Sequence, residues 1–446
     1  MSYRTYTIVP GTAGERILLL REAAGWTLPY FDRDRWVIWQ AVDHVNREME
    51  IQLGIKVTTL RCLRIVEGRT PETQSPVYVT ENHSPGWAPP SHGRWFNRGE
   101  LRDLHLDVPD HRSILDEWFA LPERNESPPL LREWYETGWF ESASTWISKQ
   151  ISRTGIAQAG PVQQVRSSQR SCVLRARTDT GYVYFEAVPD MFRHEPALTR
   201  ALSERFPGLI SIVHAVDADR SWLLMQGSGE SDLSAYEDVA IWENALMSYA
   251  RIQVEMAQQT NDIFALGCQD RRLDKLSLSI EPLLSDTPAM LPGSPRGLTD
   301  AENESLRARQ PEFHAMCEAL SGYRVPASIE HGEFGYWQTM VSGDRFHFID
   351  WSDTCVSHLF FSLAFILREL RFGAPKLVES EIRLRGAYLE VWTDFEPMGR
   401  LGEAFELSRP LAALHQAIIY HQTIIPRIAA KWEWRDMVPY FLKTLI

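Results

Sequence analysis

Four side chains between His331 and Asp350 are of types that can do chemistry together: the imidazole of His331, the carboxylates of Glu333 and Asp350, and the amide of Gln338. A carboxylate at Glu333 can accept a proton from a hydroxyl group. A carboxylate at Asp350 suits a hard divalent cation such as Mg2+, which prefers oxygen ligands. Plainer roles stay open for each. His331 can orient a core, Glu333 and Gln338 can hold a loop by hydrogen bonds, and Asp350 can cap the next turn.

These residues need a frame. The turn Ser342-Gly343-Asp344 leads into an expected strand, Arg345 to Ile349, which delivers Asp350. Ser357 to Arg371 follows as an expected helix, and Ala235 to Met256 and Ala301 to Leu320 precede as two more. Asp286 to Gly297 carries Pro288, Pro292 and Pro295 and reads as a long loop. Further upstream lie strands at Cys172 to Thr178, Tyr182 to Val188 and Ser221 to Met225, with a helix at Glu195 to Arg205. A β-rich stretch, 164–230, therefore precedes a helix-rich one, 231–446.

The stretch Ile329 to Leu367 resembles the catalytic segment of the aminoglycoside phosphotransferase and choline kinase branch of the kinase fold. That family has His-Gly-Asp, an Asn five residues after the Asp, and a strand ending in a metal-binding Asp. Here His331-Gly332-Glu333, Gln338 and Asp350-Trp351 hold those places, with Asp353 and Ser357-His358 following in a similar pattern. The resemblance spans about 164–446. It implies a two-lobed phosphotransferase that uses ATP or GTP with Mg2+, with Glu333 as base and Gln338 and Asp350 at the metal.

The same resemblance assigns the strand GYVYFEAV to the family's phosphate-binding Lys and the next helix to the Glu that pairs with it. Glu195 fits the helix. Glu186 occupies the Lys position, where an attraction of about 4 kcal/mol for a unit pair at 4 Å becomes a repulsion of similar size. Arg175, Arg177 or Arg193 would have to replace the missing cation. Glu186 can equally be a solvent-exposed strand residue. The turn Arg166 to Ser171 stands where a phosphate loop belongs, and Ser168 could offer a hydroxyl to phosphate, although a plain hairpin turn explains it as well.

Residues 1–120 are similar to a Nudix-type α/β domain, through Trp26-Thr27-Leu28-Pro29, Arg47-Glu48 and Gly54-Ile55. The frame expected is strands at Tyr6 to Ile8, Arg16 to Arg21, Lys56 to Val66 and Val77 to Glu81 around a helix from Arg35 to Gly54. The two glutamates that hold catalytic Mg2+ in that family would be Ile51 and Gln52, so diphosphate hydrolysis is not expected. Arg47 and Glu48 then read as a structural ion pair. Residues 121–163 read as a linker, with Pro122 to Pro129 followed by an aromatic-rich helical stretch from Leu130 to Ile151.

Composition bounds the remaining classes. With 446 residues, 44% hydrophobic and 24% charged, the chain is an ordinary globular mixture. A net charge of −13 argues against nucleic-acid binding. The longest apolar run, Cys355 to Leu367, is too short to span a bilayer. The five cysteines have no paired spacing, which suits reduced thiols in a cytoplasm. No G-x-S-x-G, H-E-x-x-H or GxxxxGK[ST] segment occurs. Sixteen tryptophans suit either core packing or a pocket for a flat ligand. Glu396 to Glu406 reads as a solvated inter-helix loop.

The expectation is an α+β chain: a Nudix-like domain without its catalytic glutamates, a linker, and a divergent small-molecule phosphotransferase. Its partner would be a small-molecule acceptor or another protein. The alternative is a catalytically silent pseudokinase and pseudo-Nudix binding protein.

Overall fold

The computed structural model describes residues 3–11, 15–66, 74–120, 130–229 and 231–446. The proline-rich stretch Pro122 to Pro129 lies outside the described residues. Backbone contacts divide the chain into two units, Met1–Ala187 and Val188–Ile446.

The first unit holds strands β1 (Tyr3–Ile8), β2 (Arg16–Arg21), β3 (Trp26–Thr27) and β4 (Tyr30–Arg33), then helix α1 (Asp43–Leu53). Strands β5 (Val57–Val66), β6 (Ser75–Asn82) and β7 (Gly93–Asn97) follow, then helices α2 (Arg98–Leu101), α3 (His111–Ala120) and α4 (Trp139–Thr154). A meander of β8 (Gln163–Ser167), β9 (Cys172–Thr178) and β10 (Gly181–Ala187) closes it. One sheet runs β4-β1-β6-β5 and another β3-β2-β7. Within the first sheet, β1 is parallel to β6 and antiparallel to β4.

Helix α1 begins eight residues later than the periodicity suggests. The reason is tertiary pairing of the preceding segment. The Trp39 carbonyl accepts from Tyr78 Oη at 2.9 Å, and the Gln40 carbonyl and Val42 N–H pair with the backbone of Ser167 and Val165. Those groups are spent on neighbours and cannot start a helix. Gly54 at φ +66° ends α1, as its position implies. Ile51 is 68% exposed at that end. Glu48 accepts from the Gln52 amide at 3.3 Å instead of forming an ion pair with Arg47.

The second unit starts with α5 (Glu195–Arg205), the hairpin β11 (Val213–Asp217) and β12 (Trp222–Gln226), and β13 (Ser231–Asp232). Next come α6 (Val239–Met256), α7 (Thr260–Ala265), β14 (Gln269–Asp270) and α8 (Leu273–Ser285). Helices α9 (Asp300–Ala308) and α10 (Gln310–Ser321) lead to β15 (Ala327–Glu330), β16 (Thr339–Ser342), β17 (Arg345–Phe348) and β18 (Cys355–His358). Helices α11 (Phe360–Gly373), α12 (Glu381–Glu390), α13 (Met398–Ile418) and α14 (Met437–Leu442) complete it. Its core runs continuously from Val188 to Leu442 and takes in Trp242, Trp351 and Trp392, all fully buried.

Three expectations need correcting here. Ala301 to Leu320 is two helices, because Pro311 lacks an N–H and restarts the chain beside Arg309. Ser357 and His358 lie on β18, paired with Ser328 and Ala327 of β15, so α11 begins at Phe360. Glu396 is buried and accepts from the Arg324 N–H at 3.0 Å, and α13 starts two residues on, so the charged stretch is no solvated loop.

Candidate active site

Strands β15 and β18 pair antiparallel, with Glu330 opposite Cys355. The chain leaves this sheet at Glu330 and re-enters beside it at Cys355. Everything from His331 to Thr354 is therefore one excursion from a single sheet end. Its middle is the β16–β17 hairpin, whose Ser342–Arg345 closure puts Gly343 at φ +64°.

His331 is fully buried, with its ring 4.9 Å from that of Trp351 and 5.7 Å from that of Phe334. Burial pushes its pKa down, and neutral Nε2–H donates to the Ile349 carbonyl at 3.0 Å. The ring thus fixes the residue that precedes Asp350, and its bonded nitrogen faces backbone.

Asp350 has φ +61°, a left-handed conformation uncommon outside glycine. Such strain persists where surrounding structure over-determines it, at a cost of roughly 1 kcal/mol or more. Here Gln338 Nε2 donates to its Oδ2 at 3.1 Å and Ser352 Oγ to its Oδ1 at 2.7 Å. Gln338 is itself buried, and its backbone carbonyl accepts from the Ile349 N–H at 3.0 Å. Asp350, Gln338 and the backbone that His331 grips are one bonded assembly.

Gly332, at φ +82°, joins the two arms of the excursion. A Cβ there would stand 2.3 Å from the Asp353 carbonyl oxygen, so the backbones touch. Gln416 of α13 donates to the Gly332 carbonyl. Beneath lies the buried carboxyl of Glu330, which accepts from Gly332 N at 3.3 Å, Ser362 N at 3.1 Å and Ser362 Oγ at 2.7 Å. Burial raises its pKa to about 8. Glu333 sits beyond Gly332, half-buried like Asp350, in a tight turn where Gly335 N donates to its carbonyl at 2.8 Å.

A buried cation accompanies this loop. Arg271 donates to Gln269 Oε1 at 2.7 Å and to Thr423 Oγ1 at 2.5 Å. It shares a small cavity with His194, Ser352 and Asp353. Burial lowers its pKa, and Asp353 works in the opposite direction. Arg271 was not foreseen from the sequence, nor were Glu330 and Ser352, although Ser352 lies inside the Asp-Trp-Ser-Asp run and Glu330 directly precedes His331.

The remaining candidates lie elsewhere. Glu195 opens α5, almost wholly buried in its first turn, where the helix dipole favours a carboxylate. In the first unit, Glu186 pairs with Val173 across the β9–β10 ladder, on the same face as the pair Arg175 and Tyr184. Arg175 donates to Gln163 at 3.1 Å and lies 5.1 Å from the Tyr182 ring centre. Ser168 is 1% exposed, and its hydroxyl accepts from the N–H groups of Arg170 at 3.1 Å and Ser171 at 3.2 Å. That hydroxyl serves its own turn.

Asp350 and Gln338 could offer oxygens to a Mg2+ that arrives on a nucleotide, since that ion takes one or two protein oxygens and fills its shell with phosphate and water. Among the described residues, no group of three or more His, Cys, Asp or Glu side chains gathers to hold a metal unaided. Among the described residues, no helix is long and apolar enough to cross a membrane.

No family model matches the sequence, and no curated protein matches it. Among solved structures, the chain is similar to a choline/ethanolamine kinase family protein from Mesorhizobium loti, at 12% identity and TM-score 0.45, covering 68% of this chain and 94% of that one. An ethanolamine kinase from Plasmodium vivax gives 9% identity and TM-score 0.46 over 64% of this chain and 81% of that one. A macrolide 2'-phosphotransferase from Brachybacterium faecium gives 16% identity and TM-score 0.43 over 68% and 98%. Likeness at this level carries no residue role to this chain.

Proposed function

We propose that residues 164–446 form a small-molecule phosphotransferase that uses a nucleoside triphosphate and Mg2+. The observation that carries this reading is Asp350, held in a left-handed conformation with both carboxylate oxygens fixed, on a loop pinned by His331. Asp350 and Gln338 would hold the metal, which supplies charge neutralisation at the phosphates when bound. Glu333 would accept the proton of the acceptor hydroxyl, and its half-exposed position suits that task. His331 and Ser352 act through Asp350 as positioning residues. Residues 1–120 take the place of a Nudix-like domain without hydrolase activity, in keeping with Ile51 and Gln52 at the end of α1.

A second reading, a binding protein that performs no transfer, is favoured by Glu186, an acid on the strand where the resemblance puts a cation. One experiment separates the two and tests the first. The full chain is titrated calorimetrically with ATP and with GTP, with Mg2+ and again with EDTA. We expect Mg2+-dependent binding that Asp350→Asn weakens at least about tenfold, through loss of a charged ligand. Nucleotide-dependent phosphorylation of an acceptor then decides for transfer. Absence of binding to either nucleotide in both conditions would sink the phosphotransferase reading.

A further inference from the structure

Helices α11 and α13, with the C-terminal residues, line a half-open cavity of about 450 Å³ whose wall includes Arg309, Arg368, Arg371 and Arg409 and no acidic residue. In a chain with 46 basic and 59 acidic residues, such a wall departs from the average surface. Carboxylates do pair with three of these arginines. Glu312 bonds Arg309 at 2.7 Å, Glu369 bonds Arg368 at 2.8 Å, and Glu381 and Glu406 stand 3.1 and 3.9 Å from Arg409. None of the four lines the cavity. They orient guanidinium groups that remain part of the wall.

Arg371 has no ion pair among the described residues, and its guanidinium stacks 4.7 Å from the Phe372 ring centre. Arg368 lies 4.7 Å from Phe365 and 4.6 Å from Phe441, so aromatic rings fix its plane. Planar donors of one sign around a half-open cavity are an arrangement that can take a carboxylate or phosphate through paired hydrogen bonds.

The cavity shares residues with the candidate active site. Gln416 lines it and donates to the Gly332 carbonyl. Phe365 lines it and meets Trp337 edge-on, at 6.1 Å between ring centres, one residue before Gln338. We propose that this cavity binds the anionic group, carboxylate or phosphate, of a small acceptor. That the ligand is an acceptor rests on the phosphotransferase reading; that it is an anion does not.

The test is calorimetric titration of the full chain, without nucleotide or Mg2+ and at constant ionic strength. The probes are succinate, inorganic phosphate and 3-phosphoglycerate, which has both anionic groups and a free hydroxyl, with choline as the cationic control. At least one anion is expected to saturate and choline is not. Arg371→Gln, at an exposed position, is expected to weaken the anion about tenfold or more, and Arg371→Gln/Arg409→Gln further. Succinate alone would mark a carboxylate site and phosphate alone a phosphate site. If no anion saturates, or if both variants bind like the parent, the inference fails. Parallel titration with Mg2+ and ATP keeps the two ideas apart. Anion binding without nucleotide binding removes the transferase and leaves the cavity, and the reverse result does the opposite.

Discussion

Gly332→Ala is expected to cost about 2–5 kcal/mol and to lower the melting temperature of the protein by several degrees. Two effects add. At φ +82° an L side chain pays about 1–2 kcal/mol for the left-handed backbone. The new methyl group would also stand 2.3 Å from the Asp353 carbonyl oxygen and 2.6 Å from Asp353 Cβ. Backbone cannot swing aside as a flexible side chain does, and overpacking of this kind costs about 1–3 kcal/mol. Gly343 supplies the comparison. It has φ +64°, but a methyl group there would meet nothing within 4 Å, so Gly343→Ala should show the backbone cost alone. Urea unfolding of both variants decides the matter: equal losses would mean that Gly332 is not wedged against Asp353.

The second large effect is a dependence on pH. Glu330 has a folded pKa of about 8 against an ordinary value of 4.5, chiefly through burial, with Ser362 and Gly332 donating in the opposite sense. Between those values the native protein keeps a proton that the unfolded chain has released. Stability therefore falls as pH rises from 4.5 to 8 and levels off above, where both states are ionised. At 1.36 kcal/mol per unit, the loss across the window is on the order of 5 kcal/mol. Glu330→Gln keeps the size and an amide that can bond Ser362, and it has no proton to lose. The variant is expected to match the parent near pH 5 and to exceed it near pH 8. Parallel stability curves for the two proteins across pH 5–8 would show that Glu330 is not the buried acid described here.

The sequence was legible where local pattern and final structure agree. Cys172–Thr178 and Glu195–Arg205 begin and end where alternation and helical spacing place them. His331, Gln338 and Asp350 stand out by order and spacing, and they do meet in one hydrogen-bonded assembly. It failed where distant partners decide. Nothing local says that Gln40 and Val42 will bond β8, or that Ser357 will pair with Ser328 and not open a helix. Arg271 and the arginines of the α11–α13 cavity come from segments far apart in the chain, and only the fold brings them together. The left-handed backbone at Asp350 is likewise invisible in residue type, because Asp is common in many conformations.

The burial of all five cysteines gives this protein an internal clock. Cys62 and Cys172 lie in Met1–Ala187, whereas Cys268, Cys317 and Cys355 lie in Val188–Ile446. Burial holds the Cys317 thiol at about 11 and Cys268 at about 12, so neither presents thiolate at neutral pH. An alkylating reagent can then reach each thiol only when its surroundings open. Labelling rates read by peptide mass would report the opening of each unit separately in a single undivided chain. Nucleotide bound by residues 164–446 should slow Cys172 with the last three and leave Cys62 as it was.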